Sequence, residues 1–176
     1  MNRSLSTLTL SLLIAATLAG PAISAEAVSA LKGHDSDAPV DVAADRIELQ
    51  DRSDRAVLTG NVEVRQGNLT LRAGRLTVAY TRTGSTEIQR LDASGGVTVV
   101  SPSETARSQF GIYDLDRRLI TMMGDVVLTR SGSEVRGGRL VIDLDSGRAT
   151  VDGSAVGGSS SGGRVTGHFT VPKRGN

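Results

Sequence analysis

The 176-residue chain has no cysteine and no tryptophan, and only two tyrosines, two phenylalanines, two histidines and four prolines. Without cysteine there is no disulfide, no thiolate nucleophile or metal ligand, and no lipid-modified cysteine anchor. The shortage of large aromatics argues against a broad closed core. It points instead to an elongated two-sheet body with a thin aliphatic interior, or to a groove. A long apolar run is also lacking. The longest, Leu8–Ala19, is shorter than the ~20 residues a membrane-spanning helix requires.

That run has a different use. Arg3 precedes it and small residues follow it up to Ala25, the three-part pattern of a secretory signal peptide over residues 1–25. Cleavage is expected after Ala25 or after Ala27, and the alternative is an uncleaved N-terminal anchor. The exported chain would then hold as many basic as acidic residues, because Arg3 is lost from 20 Lys+Arg against 19 Asp+Glu. A neutral protein is poorly suited to non-specific nucleic-acid binding. The basic residues are 18 Arg and 2 Lys. This bias fits either phosphate and carboxylate recognition or a GC-rich genome. Residues 26–39 have no sustained periodicity and read as a flexible leader.

From Val40 onward the chain alternates apolar and polar residues with period two, broken by Gly, Asp and Ser every 8–15 residues. This predicts an all-β domain of many short strands over 40–156. A repeat runs through it, written h-x-h-x-G-x-h-x-h with h small or apolar. The copies are Ala56, Leu58, Gly60, Val62, Val64; Leu91, Ala93, Gly95, Val97, Val99; and Ile120, Met122, Gly124, Val126, Leu128. A weaker fourth holds Ala149, Val151, Gly153 and Ala155, with Gly157 in the last apolar place. The central glycines are 35, 29 and 29 residues apart. A second strand follows each copy, with Leu69, Leu71, Leu76, Val78; then Ala106, Phe110, Ile112; then Val135, Leu140, Ile142, Leu144; then Val165, Phe169.

Side chains alternate across a strand, so the h positions share one face. The other face, with Asn61, Glu63, Arg65, Thr98 and Asp125, is expected in solvent. The central glycine predicts a bulge or bend. Turns are expected at 51–54, 82–85, 114–118 and 143–148. Residues 157–163 read as a Gly/Ser-rich joint leading to a last strand and basic tail, 164–176.

Residues that carry chemistry are few. His34 and His168 share no partner in the sequence and are expected to be solvent-exposed. Gly158–Gly162 matches Gly-x-Ser-x-Gly around Ser160, but a Gly/Ser run replaces the strand and helix that a nucleophile elbow needs. No Gly-rich stretch is followed by the Lys-Ser/Thr of a phosphate loop. Asp114-x-Asp116 and Asp143-x-Asp145 fit either a repeat-borne calcium site or aspartates bonding their own turns. The sequence thus predicts a protein that is not an enzyme and that needs no cofactor or metal.

The stretches "AVLTGNVEVRQGNLTLRAGRLTV", "LDASGGVTVV" and "LITMMGDVVLTRSGSEVRGGRLVIDLDSGRATV" resemble the OstA-like domain family of periplasmic lipopolysaccharide-transport proteins. The resemblance implies a V-shaped antiparallel β-jellyroll in the periplasm that binds lipopolysaccharide by its acyl chains. It implies a head-to-tail homo-oligomer that bridges an LptC-like inner-membrane partner to an LptD-like outer-membrane partner. The lining would be Leu58, Val62, Val64, Leu71, Leu76, Val78, Leu91, Val97, Val99, Phe110, Ile112, Ile120, Met122, Val126, Leu128, Val135, Leu140 and Ile142. Strand edges template further pairing, which marks Val42, Ile47 and Leu49 at one end, and Val165 and Phe169 at the other, as partner edges. The alternatives are an LptC-like component of the same system, separated by a retained anchor, and a structural β-solenoid without ligand, whose interior would be closed and dry.

Overall fold

The computed structural model describes residues 31, 34–82, 84–153 and 163–170. The signal segment 1–25, nearly all of the Gly/Ser joint and the basic tail lie outside them. The described chain is one antiparallel sheet: β1 (Val40–Ala43), β2 (Arg46–Gln50), β3 (Arg55–Gln66), β4 (Leu69–Thr81), β5 (Glu87–Val100), β6 (Glu104–Asp114), β7 (Leu119–Arg130), β8 (Ser133–Asp143), β9 (Arg148–Asp152) and β10 (Thr166–His168). Strands β3 to β8 pair consecutively. They are long, at 11 to 14 residues. The expectation of many short strands therefore fails for the body, because the repeat glycine bends a strand without ending it.

The bend follows from the backbone. Gly60, Gly95 and Gly124 have φ of 80°, 81° and 80°, and the next residues, Asn61, Gly96 and Asp125, also have positive φ. Pairing slips at each of these points, between Thr59 and Val62, Ser94 and Val97, and Met123 and Val126. Two residues of the odd strand face one of its neighbour: Gly74, Gln109 or Gly138. These bulges lie side by side across the sheet, so their bends add into one crease. The crease folds the sheet into two jaws, an elongated V-shaped β-jellyroll.

The edges keep this plan with broken strands. β1 pairs with Glu63–Gln66 on one side of the crease and β2 with Arg55–Thr59 on the other. At the far edge β9 pairs with Arg139–Asp143 and β10 with Glu134–Arg136. One jaw thus carries β2 and β9, the other β1 and β10. The weak fourth copy supplies only β9. β9 ends at Asp152, just before Gly153, the position where the other copies bulge.

The jaws close on an aliphatic core. Leu58, Val62, Leu71, Leu76, Leu91, Val97, Ile120, Met122, Val126, Leu140 and Ile142 are at most 1% exposed. Each such Leu or Ile contributes roughly 1.5–3 kcal/mol relative to exposure. Contact between the jaws is direct: a Cβ on Gly111 of β6 would lie 3.0 Å from Val97 Cγ1 of β5, across the fold.

Four expectations are corrected here. Phe110 is 51% exposed and outside the core, and Ile112 is opposite Thr121 on the outer face. At the crease, odd strands pass four residues between inward positions (Leu58 to Val62), whereas even strands pass three (Ala73 to Leu76, Ser108 to Gly111). Period two counted from Ala106 through the crease therefore lands on the wrong face, and the inward residues are Gly111 and Tyr113. His34, expected in solvent, is buried at 8% exposure. The leader is not free of the fold either: Leu31 is buried and Gln66 bonds the Ser36 and Ala38 carbonyls.

Candidate lipid-binding cleft

The interior is sealed in its middle and open at the N-terminal edge. Val42 is opposite Val64, Ile47 opposite Leu58 and Leu49 opposite Ala56. Directly opposed residues share a face, so these three point inward with the core. No strand among the described residues pairs beyond β1 and β2, and no described residue covers them. They are 39%, 50% and 68% exposed. The result is a cleft of about 500 Å³ lined by Val42, Ile47, Leu49, Ala56, Leu58, Val78, Tyr80 and Ile88, with Asp51, Arg82 and Thr86 at its rim. Ala56, Leu58 and Val78 belong also to the buried core, so the cleft opens directly onto the packed interior. Its size is that of a small-molecule site.

The rim is charged but internally paired. Arg82 reaches Asp51 at 2.8 Å and Asp54 at 3.2 Å, and donates to the Tyr80 hydroxyl at 3.0 Å. Its guanidinium also lies 5.3 Å from the Tyr80 ring centroid. This arrangement holds Tyr80 upright as one wall while Arg82 stays at the water boundary.

Of the sequence-derived lining, Leu58, Val62, Val64, Leu71, Leu76, Val78, Leu91, Val97, Val99, Ile120, Met122, Val126, Leu128, Leu140 and Ile142 are brought together in one cluster. Val135, opposite Leu128, faces inward but is only half-buried near the far edge. Val165 and Phe169 are exposed at 42% and 67% beside β10. Tyr80, Ile88 and Arg82 were not foreseen. Tyr80 and Ile88 flank the β4–β5 turn, and the only available signal was that Tyr80 continues the inward series of Leu76 and Val78.

The outer face is polar along the crease. Asn61 Nδ2 donates to Asp45 at 2.9 Å, and Gln109 Nε2 donates to Asp125 at 2.6 Å. Glu63 accepts from Arg72 Nε at 2.8 Å and also pairs with Arg65. The Arg72 hydrogen bond holds its carboxyl below the usual glutamate range. Asp114 and Asp143 accept from the backbone N–H groups of Arg117 and Ser146, both at 2.9 Å, which makes them turn aspartates. Among the described residues no three His, Cys, Asp or Glu are grouped as metal ligands.

Comparison with known proteins agrees with this geometry. The family model described as LptA/(LptD N-terminal domain) LPS transport protein matches residues 41–148. An uncharacterized Rhizobium meliloti (strain 1021) protein is 31% identical over 137 residues, covering 74% of this chain and 70% of its own length. The crystal structure of LptH superposes with a TM-score of 0.68 at 20% identity, over 78% of this chain and 99% of that one. LptH is the LptA-homologous periplasmic component of the lipopolysaccharide transport device of Pseudomonas aeruginosa. A creased, aliphatic-lined sheet matched over most of its length by that model places this chain in the LptA/(LptD N-terminal domain) family of lipopolysaccharide transport proteins.

Proposed function

We propose that this protein binds lipopolysaccharide by its acyl chains and forms part of a bridge that carries it through the periplasm from the inner to the outer membrane. The observation that carries this is the apolar cleft at the N-terminal edge, continuous with a largely aliphatic interior. Valine, leucine and alanine walls bind methylene chains through burial alone, without directional partners, which suits a cargo with several acyl chains. The uncapped strands fit the assembly. β1 and β2 offer backbone groups to an LptC-like partner or to a preceding copy. The region of Val165 and Phe169 would meet the next copy or an LptD-like domain, by strand addition. Open-ended pairing of this kind gives head-to-tail growth, not a closed dimer. Export to the periplasm rests on the segment 1–25.

The test is a photo-crosslinker placed at Leu49 in the cleft and, separately, at Phe110 on the outer face, in cells making lipopolysaccharide. Capture at Leu49 and none at Phe110 is expected; equal capture at both would refute the cleft. N-terminal sequencing of the mature protein is expected to begin near Glu26 or Val28. The closed middle of the interior also suits a ligand-free structural solenoid. In that case mass spectrometry of the protein purified from periplasm would find no bound lipid.

A further inference from the structure

The two jaws meet at the crease on one side. On the opposite side lies a seam, lined by the turns that join the strands. The chain ahead of β1 lies on this seam. His34 Nε2 is 3.2 Å from Gln66 Oε1, and His34 Nδ1 is 3.1 Å from Asn68 Oδ1. Gln66, at the tip of β3 and 2% exposed, donates from Nε2 to the Ser36 and Ala38 carbonyls at 2.9 and 3.0 Å. Those two bonds fix its amide orientation, so Oε1 is the acceptor. It accepts from the Tyr113 hydroxyl at 2.7 Å. Tyr113 belongs to β6 on the opposite jaw. Further along, Asp37 pairs with Arg118 at 3.0 Å, and Arg118 pairs with Asp145 at 3.1 Å. Leu31 is 1% exposed, in a space walled by Val99, Ala106 and Ile142, again from both jaws.

Gln66 is therefore a polar clasp that ties three things at one point: the first jaw, the second jaw and the segment His34–Ala38. Nothing about an aliphatic slide demands a buried amide there. Valine or leucine in the same inward position would pack as Val62 and Val64 do. The polar choice costs desolvation and repays it only while all partners are present. Such a network holds firmly when complete and loosens as a unit when one partner leaves. The Tyr113 hydroxyl is the donor in this bond, and burial pushes its phenol above its ordinary pKa.

We propose that His34–Pro39 is a strap latched across the seam by Gln66, and that its release opens the jaws sideways to admit an acyl chain into the sealed interior. This rests on the lipid-binding reading above, and it adds a lateral entrance, distinct from the cleft at the N-terminal edge, together with the residues that hold it shut.

The chain's lack of cysteine makes two tests clean. In the first, a single cysteine replaces Val99, which lies beside Leu31, and its labelling by a small maleimide is timed. Adding Tyr113→Phe removes one hydroxyl from the clasp and keeps the ring. A roughly five- to tenfold faster labelling is expected, the population shift for losing one buried hydrogen bond. A control cysteine at Val62, beside the crease, should label at an unchanged rate, which separates seam opening from general unfolding. In the second, Asp37→Cys is combined with Arg118→Cys, two positions whose native side chains meet at 3.0 Å across the seam, and the thiols are joined by a short reducible cross-linker. The cross-linked protein should take up purified lipopolysaccharide at least about tenfold more slowly than the same protein after reduction, the effect of removing the open state. Unchanged Val99→Cys labelling in the Tyr113→Phe background overturns the strap, as does equal acceleration at Val62. Equal lipopolysaccharide uptake before and after reduction overturns it as an entrance. If the natural protein takes up no lipopolysaccharide at all, the transport reading fails instead, and the labelling arm still judges the strap.

Discussion

The middle of this molecule and its N-terminal mouth are made of the same residues and behave differently. Leu71, Leu76 and Leu91 in the middle are at most 1% exposed; Ile47 and Leu49 at the mouth, on the same face of the same sheet, are 50% and 68% exposed. The difference lies in the neighbours. A middle strand has a partner on each side and the opposite jaw above it, whereas among the described residues β2 pairs only with β3. Apolarity and strand parity decide which face a side chain occupies. Burial depends on what lies across from that face. The mouth is thus the part of the aliphatic surface that folding leaves uncovered, and it is where a ligand or a partner strand gains most by binding.

Charge placement gives the sharpest test of this contrast. Val126→Asp puts an unpaired carboxylate into the sealed middle, and a destabilisation of about 4 kcal/mol or more is expected, read as loss of the cooperative thermal transition. Phe110→Asp, on the outer face, should leave the transition within roughly 0.5 kcal/mol of the natural protein. Equal losses would mean that the faces are misassigned. Next in size is the crease. Gly124→Ala forces an L side chain into a φ of 80°, at a cost of about 1–2 kcal/mol. Chemical denaturation should show this as a lower midpoint with an unchanged slope.

At the mouth the order of effects reverses. Leu49→Arg is expected to change stability by less than about 0.5 kcal/mol, because the side chain is already mostly in water. It should nevertheless lower lipopolysaccharide retention several-fold, measured by lipid co-purification. Lost stability with unchanged retention would exclude the cleft as the binding surface. The smallest effect is electrostatic. Arg72, together with Arg65, holds the Glu63 carboxyl below the usual glutamate value of 4.5. A lowered folded pKa contributes stability that is present above the unfolded value and lost as pH falls through the folded one. The stability difference between the natural protein and Glu63→Gln should therefore shrink as pH falls below the usual glutamate value of 4.5, and vanish once the folded-state carboxyl is protonated too. It will be slight throughout, since the pair lies in solvent.

Much of this architecture was legible in advance. The alternation marked the inner face of every odd strand, and the repeat glycine marked each bulge. Reading failed where those two signals meet. Because two residues of an odd strand face one of an even strand, the even strands cross the crease in a different count, and Phe110 and Ile112 were assigned inward. Ala106, Ser108 and Gly111 are too small and too mixed to reveal the shift. β4 raised no such difficulty, because Leu71, Leu76 and Val78 announce both sides of the crease by size. Gln66 followed the inward parity of Val62 and Val64, a signal of a buried amide, but its partners Tyr113, Ser36 and Ala38 are distant in sequence.

By itself, then, the sequence determined the strand period, the bulge positions, the absence of thiol chemistry and the aliphatic character of one face. These are local properties, set by side-chain alternation and by the backbone freedom of glycine. Tertiary structure alone decided which apolar residues are sealed and which lie open, how the bulges align into one crease, and that the chain before the first strand closes the seam. Those outcomes depend on which strands become neighbours and on contacts across the fold, such as that between Tyr113 and Gln66, which no period along the chain encodes.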